Sequence, residues 1–567
     1  LIPIFGSLEV PNTPEVRRIV VLPRRTWTSE ETLKVQEILT NEFRTPEGTM
    51  RLNAVQAIAL YEVLISGGLF GPIKVGGGKT LLTLLVAAAL GAKRPVLLLP
   101  AALIEKTRHE REVLGKHWRL PTNLQVISYE MMGRVSYAEQ LNYIQPDVII
   151  ADEVHRLKNH RAGVTRRVSR YMKERPETKF AGVSGTIMKN SLKDFSHILR
   201  WALKDKSPIP RAEDEVSMWA DALDEKVNPI ARRRPGALFL LGPRPPEASD
   251  ALSAVRQIFQ RRLLDTPGVV ASGKDDAAGA SLLVRALEYE VAEVTDGHFK
   301  NIKETWTTPD GWMFSEAIEL WRHCRSLALG FHGIWDPRPP VEWLEKRKGW
   351  AQFVRETLAH SRTLDTELQV AQFVSASGGK GRAPLEAWRE VRDTFTPQPR
   401  PVWHDDSALK ACEYWMHGHK GIVWCEHVFF AEELAKRTGA LYYGADGLAA
   451  GGESIVDVKP GKAIIASIQA NSTGRNLQMF SENLITSPPP GAAGWEQLLG
   501  RTHRFGQEAD TVTVDVLLGC KEHHDAVMRA IDAARASADT MGHDQKILLA
   551  DVVFPESLVG RRGARWQ

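Results

Sequence analysis

Lys79 and Thr80 close a short glycine run, Pro72-Ile73-Lys74-Val75-Gly76-Gly77-Gly78-Lys79-Thr80, directly ahead of the apolar stretch Leu81–Leu90. Three glycines let a backbone curl until its N–H groups face one concavity, and a helix N-terminus behind them adds its positive dipole end. That chemistry is phosphate binding. Gly76, Gly77 and Gly78 would line the cradle, Lys79 would reach the β- and γ-phosphates of a nucleotide such as ATP, and Thr80 would hold Mg²⁺. The usual first glycine of a GxxxxGK[ST] pattern is Ile73 here, and a plain Gly-rich turn would use the same residues. The strongly apolar helix that the run opens favours the phosphate reading.

A second group lies at the end of Asp147-Val148-Ile149-Ile150-Ala151, which reads as a buried strand and runs into Asp152-Glu153-Val154-His155. Adjacent carboxylates at a strand end suit a metal–phosphate site, with Asp152 in the Mg²⁺ shell and Glu153 orienting or deprotonating a water. A solvated acidic turn is the plainer alternative, and the phosphate loop upstream weighs against it.

These groups need a scaffold, and the chain supplies alternation. Apolar-periodic helices alternate with short buried-strand runs at Val96–Leu99, Leu124–Ile127, Val148–Ala151 and Phe180–Val183, and again at Gly421–Cys425, Ala440–Tyr443, Ala463–Ser467, Asn483–Ile485 and Thr511–Leu518. Such alternation predicts an α/β fold with parallel sheets covered by helices. A short helical pattern is expected around Glu30–Thr40. Residues 250–400 read as helical and irregular and hold seven of the sixteen tryptophans, either as packing between helices or as a base-stacking surface. The segment 375–384, SASGGKGRAP, reads as a mobile loop. At 567 residues the chain is too long for one core, which would stop growing near ~250–300 residues.

Composition narrows the function classes. The balance of 73 Lys and Arg against 69 Asp and Glu leaves a formal charge of +4, so nucleic-acid contact would come from local patches. One such patch is Arg156 to Lys179, either a solvated face or a DNA- or nucleotide-linked surface. Four dispersed cysteines make neither a disulfide scaffold nor a cysteine zinc module. No stretch reaches the ~20 apolar residues of a membrane span, and the first residues lack the basic region of a signal peptide. A cytoplasmic location is expected. His109, His117, His160 and the pair His523-His524 show no ligand spacing.

Read as a set, the motifs resemble a known family. Asp152-Glu153-Val154-His155-Arg156-Leu157-Lys158-Asn159 is similar to the DEAHxxKN box of superfamily-two helicases in its Swi/Snf-type form, the ATP-driven translocases on double-stranded DNA. Leu52-Asn53-Ala54-Val55-Gln56 resembles the opening LRxYQ segment. Pro95–Pro100 with Ala101-Ala102-Leu103, and Ile127-Ser128-Tyr129-Glu130, resemble the segments that touch the tracked strand. Ser184-Gly185-Thr186-Ile187-Met188-Lys189-Asn190-Ser191 is similar to SGTPxxNS, with Ile187 for proline. In the second half, Leu441 to Gly447 resembles the strand and LDG turn, Ser467–Leu477 is a looser match to STxAGGxGxNL, and Gln497 to Gln507 fits QxxxRxxRxGQ. The set spans residues 52–507. Gln260 to Leu264 faintly resembles the LLRR-type link.

The resemblance implies two RecA-like parallel-sheet lobes, a P-loop NTPase core of the superfamily-two helicase kind, with a helical insertion between them. Together with the stretches that the resemblance does not cover (1–45, most of 200–400 and the tail), the expected division is an N-terminal arm over 1–45, an ATP-binding lobe over 46–245, a Trp-rich helical insertion over 246–404, a second lobe over 405–545 and a tail over 546–567. ATP would lie between the lobes. Lys79, Asp152, Glu153, Arg501 and Arg504 would be catalytic, the two arginines at i and i+3 sharing one helical face and stabilising γ-phosphate charge. Gln56 would read adenine, Gly474 and Gln497 would join Gly76–Thr80 in nucleotide binding, and His155, Ser184, Thr186 and Asn190 would couple hydrolysis to lobe movement. The metal is Mg²⁺, on Thr80 and Asp152. The implied function is an ATPase motor that translocates on double-stranded DNA through phosphate contacts, without sequence preference, as a monomer of minimal bacterial or viral design and nucleoid-associated. Two other functions are weighed against it: a strand-separating DNA or RNA helicase, and an ATP-gated DNA-binding scaffold with little turnover.

Overall fold

The computed structural model describes residues 8–554 apart from 75–76, 186–190, 225–226, 228–230, 247, 249, 273–279, 312, 315, 362, 378, 380, 397, 473, 505 and 542–543. Of the expected site residues, Gly76, Thr186 and Asn190 lie outside the described set. The chain divides into two compact units. Unit 1 holds Leu1–Asp276, Val354–Ala376 and Ala533–Asp544, and unit 2 holds Ala277–Phe353, Ser377–Asp532 and Gln545–Gln567.

Unit 1 is built on five strands, β1 (Leu69–Gly71), β2 (Pro95–Leu99), β3 (Gln125–Ser128), β4 (Val148–Asp152) and β5 (Lys179–Val183), in the order β1-β5-β4-β2-β3 and all parallel. Successive side chains of a strand point to opposite faces, and both faces here are covered. Val96, Leu98, Ile149, Ala151 and Phe180 enter one apolar cluster; their neighbours Leu97, Leu99, Val148, Ile150 and Ala181 enter another. That explains the continuous apolar runs at β2 and β4. The Ala54–Ser66 helix is started by a capping box between Asn53 and Gln56 and stopped by Gly67 at φ +77°.

The helices of residues 8–45 are packed into this unit. Val16 and Ile19 of the Pro14–Val20 helix join one cluster, and Leu39 and Phe43 of the Ser29–Phe43 helix join the other. Glu15 fastens the first helix, accepting from Arg18 and from Arg211 at 2.7 Å. Burial raises its carboxyl, and the hydrogen bonds from Arg211 and Arg18 overcome that and hold it at about 2, below the usual 4.5. A depressed carboxylate stabilises the fold above its unfolded pKa and loses that contribution as pH falls towards the folded one. Glu15→Gln is therefore expected to cost roughly 1–2 kcal/mol at pH 7, allowing for the solvent around Arg211. Urea unfolding should show the difference shrinking from about pH 4.5 down to about 2.

Unit 2 carries a seven-stranded parallel sheet. Its strands are β6 (Ser281–Leu287), β9 (Ile422–Cys425), β10 (Tyr442–Tyr443), β11 (Ile464–Ser467), β12 (Glu482–Ile485), β13 (Thr511–Leu517) and β14 (Asp551–Val553), ordered β10-β11-β9-β12-β13-β6-β14. Strands β7 (Phe331–Trp335) and β8 (Pro399–Trp403) form a separate antiparallel pair. The α/β class with parallel sheets is thus present in both units.

Several elements differ from the sequence reading. Residues 250–400 are not only helical and irregular: β6, β7 and β8 lie there. Residues after 545 add the Lys546–Leu549 helix and edge strand β14, which pairs with β6. Of the stretch 375–384, residues 375–377 end the Glu367–Ser377 helix and 382–384 begin the Arg382–Val391 helix, while Gly378 and Lys380 lie outside the described residues. The tryptophans of the middle divide towards packing. Trp343 contacts Trp335 and Trp388 at ring distances of 6.1 and 5.2 Å and Phe395 at 5.3 Å, with the Arg347 guanidinium 5.2 Å above it. These rings make a small aromatic core of their own.

Candidate nucleotide site

The phosphate-loop residues sit where β1 meets the Lys79–Ala89 helix. Gly78 is the residue before that helix and has φ +73°; a Cβ there would lie 2.2 Å from Gln56 Nε2, and one on Gly77 would lie 2.7 Å from Ile73 Cγ2. Both glycines are required by close approach, and Gly78 by its left-handed backbone as well. Ile73, at the place of the motif's first glycine, is fully buried with Leu82 and Leu85 in the helix-covered core. The departure from the pattern is a packing feature. Lys79 donates to the carbonyls of Ile73 and Lys74 at 3.3 and 3.5 Å, and Thr80 follows in the first turn.

Gln56 is 6% exposed and committed to the loop: its Nε2 donates to Gly78 O at 3.0 Å and its Oε1 accepts from Asn53 N–H at 2.9 Å. Asn53 reaches the same loop through Gly77 O at 3.4 Å. The expected adenine reader is also a brace of the phosphate loop.

The acids stand at the end of β4. Glu153 has φ +51°, left-handed backbone directly after the strand. Glu153 Oε1 lies 3.8 Å from Lys79 Nζ, and its Oε2 accepts from Ser184 Oγ at 3.0 Å. Ser184 Oγ in turn lies 2.8 Å from His155 Nδ1, which is 3.3 Å from Glu153 Oε2. With the hydroxyl hydrogen given to Glu153, Ser184 accepts from a His155 Nδ1–H. Lys79, Glu153, His155 and Ser184 thus converge from three separated motifs. Burial and the adjacent Glu153 charge lift the Asp152 carboxyl to about 7, against the pull of Lys79. Burial also raises Glu153, but Lys79 and the hydrogen bonds from His155 and Ser184 outweigh it and hold that carboxyl well below the usual range. The buried Asp152 and the mostly buried Glu153 both feel the Lys79 ammonium, and Asp152 and Thr80 have the oxygen donors that a divalent cation would take.

Tyr129 has a part that its motif did not suggest. Its buried hydroxyl donates to the carbonyl of Asp152 at 2.7 Å, while the neighbouring Glu130 accepts from Ala101 N–H at 2.9 Å. The segment expected to touch nucleic acid therefore bonds both to the acidic strand end and to the turn after β2.

The second-half residues belong to unit 2. Arg501 is 5% exposed and donates to Gln497 O at 2.8 Å and Arg475 O at 3.0 Å. Arg504 donates to Asn476 Oδ1. The Ala492–Thr502 helix ends before Arg504, because the chain leaves helical geometry at His503. The expected sharing of one helical face is corrected: only Gln497 and Arg501 lie on the helix. Gly474 has φ +79°, which favours glycine in that loop.

The basic run after the acidic box is partly internal. Arg166, Arg167 and Arg170 all reach the buried carboxylate of Asp365, at 3.5, 3.3 and 3.0 Å. Arg167 is 3% exposed and also donates to the Met132 and Arg134 carbonyls. Those three charges are structural. The Gln260–Leu264 segment is likewise internal at Arg262, which is fully buried and donates to Leu22 O and Pro23 O.

Among the described residues no helix is long and apolar enough to cross a membrane. No protein-family model and no curated protein matches the chain.

Proposed function

We propose that the chain is an ATP-hydrolysing motor of the Swi/Snf-type superfamily-two kind, with two RecA-like lobes, moving on double-stranded DNA through its phosphates. The observation that supports this most is the convergence of Lys79, Glu153, His155 and Ser184 beside a glycine loop at the C-terminal ends of parallel strands. That is where open α/β sheets take their ligands. Lys79 and the loop N–H groups bind the phosphates, and Glu153 orients the attacking water. Ser184 and His155 fix the Glu153 carboxylate and feel any change in it. Thr80 and Asp152 would hold Mg²⁺, which neutralises charge on the β- and γ-phosphates. Arg501 and Arg504 stabilise γ-phosphate charge, Gln497 and Gly474 support them, and Gln56 meets the adenine; these roles rest on the family resemblance.

Phosphate release should be measured with duplex DNA, single-stranded DNA, RNA and no polymer, beside triplex displacement and fork unwinding. Duplex DNA is expected to raise the rate about tenfold or more, an acceleration of ~1.4 kcal/mol, and to support triplex displacement. Stimulation by RNA alone, or activity on forks alone, would replace the translocase with a strand-separating helicase. Binding of DNA with no polymer-stimulated turnover would leave an ATP-gated scaffold.

A further inference from the structure

The segment Gly268–Ser272 lies along β1, which stands at the edge of the unit 1 sheet. Phe70 N–H donates to Gly268 O at 2.8 Å, Val270 N–H to Phe70 O at 3.0 Å and Ser272 N–H to Pro72 O at 3.2 Å, with a parallel bridge between Phe70 and Val269. The segment is itself anchored. Gly268 N–H donates to Glu62 Oε2 at 2.8 Å, while Arg25 donates to Glu62 Oε1 at 2.7 Å. Gly268 has φ +89°, and a Cβ on it would lie 2.5 Å from Leu203 Cδ2, so the approach is close and allows little else.

At the end of this ladder the Ser272 side chain leaves the strand pattern and enters the phosphate loop. Its Oγ accepts from Lys74 N–H at 2.9 Å, and Ser272 is 3% exposed. The carbonyl of the same Lys74 accepts from Gly77 N–H at 3.1 Å and from Lys79 Nζ at 3.5 Å. One peptide unit after another is therefore held: the amide of residue 74 by Ser272, and its carbonyl by the two residues that would meet phosphate. No motif contains Ser272, and 198 residues separate it from Lys74.

We infer that Ser272 is a positioning residue for the phosphate loop. It acts through Lys74, setting the point at which the chain leaves β1 and folds back so that Gly77 and Lys79 face the nucleotide. The same chain passes four residues later into unit 2, at the boundary after Asp276. This positioning role rests on the nucleotide reading above. The hydroxyl holds the loop equally for bound ATP and for the reacting state, so its loss weakens binding rather than turnover.

The test uses the full chain, titrating a fluorescent ATP analogue and measuring steady-state phosphate release and thermal melting without nucleotide. Ser272→Ala is expected to raise the dissociation constant and KM about tenfold, the size of one lost buried hydrogen bond, with kcat changed less than about twofold and melting lowered by no more than about 3 °C. Ser272→Thr, which keeps the hydroxyl, should return within about threefold of wild type. Unchanged affinity in Ser272→Ala, equal losses in the two variants, or melting lowered well beyond about 3 °C would overturn the inference while leaving the nucleotide site in place. A wild-type chain that binds no nucleotide overturns both.

Discussion

Lys79→Ala should abolish phosphate release, by about 10³-fold or more in kcat/KM, and weaken ATP binding with it. In the proposed function Lys79 is the cation that the loop would bring to the phosphates, and a fixed charge in a shielded site is worth far more than one in water. Its position makes the loss double. Lys79 also neutralises Glu153 from 3.8 Å, so alanine leaves two buried carboxylates with no ammonium between them. Losing the pull of Lys79 lifts the Asp152 carboxyl, already raised by burial and by Glu153, further still. Lys79→Arg keeps the charge but not the compact ammonium, and should recover binding more than turnover. Duplex-stimulated phosphate release and ATP titration check all of this. A Lys79→Ala protein that hydrolyses ATP at the wild-type rate would remove the motor reading.

Glu153→Gln should separate what Lys79→Ala merges: hydrolysis falls about 10³-fold while ATP still binds. Glutamine keeps the shape and can still accept from Ser184, so the network of Glu153, Ser184 and His155 loses charge rather than geometry. The carboxylate is held so far below neutral pH by Lys79 that it is a poor proton acceptor while that contact lasts. It serves first to aim a water. Rapid-quench measurement of a single turnover, beside equilibrium ATP binding, checks this. Full-rate hydrolysis by Glu153→Gln would move the water-directing role to another residue.

The unit 1 half of the candidate site was legible because its signals are local. Gly76 to Thr80 and Asp152 to His155 are each contiguous, and the buried strands β2 and β4 announce themselves by unbroken apolar runs. Motif order then placed Ser184 near them, and the structure brings it to 3.0 Å from Glu153. What stayed hidden depends on partners far along the chain. β6 is a seven-residue strand whose parallel neighbour β13 begins at Thr511, so nothing near it in sequence marks it as part of a sheet. Asp365 is an ordinary acid until three arginines of the Gly163–Glu174 helix close on it. The shared helical face of Arg501 and Arg504 failed for a local reason instead: spacing predicts a face only while the helix continues, and it stops at Thr502.

The place of β6 in the unit 2 sheet also bears on how the protein is made. Arg285 of β6 and Asp515 of β13 are paired in register and joined by a salt bridge across 230 residues of chain. At a ribosomal pace of about 5–20 residues per second, β6 waits roughly 12–46 s for that neighbour, and longer for β14 on its other side. Through that interval an apolar strand, with Leu282 and Val284 destined for full burial, has both edges open. Unit 1 has its whole sheet in hand by residue 183. Synthesis therefore passes through a stage in which the phosphate loop is assembled while the second sheet is still a set of unclaimed edges, and that stage is where the nascent chain most needs protection from its neighbours.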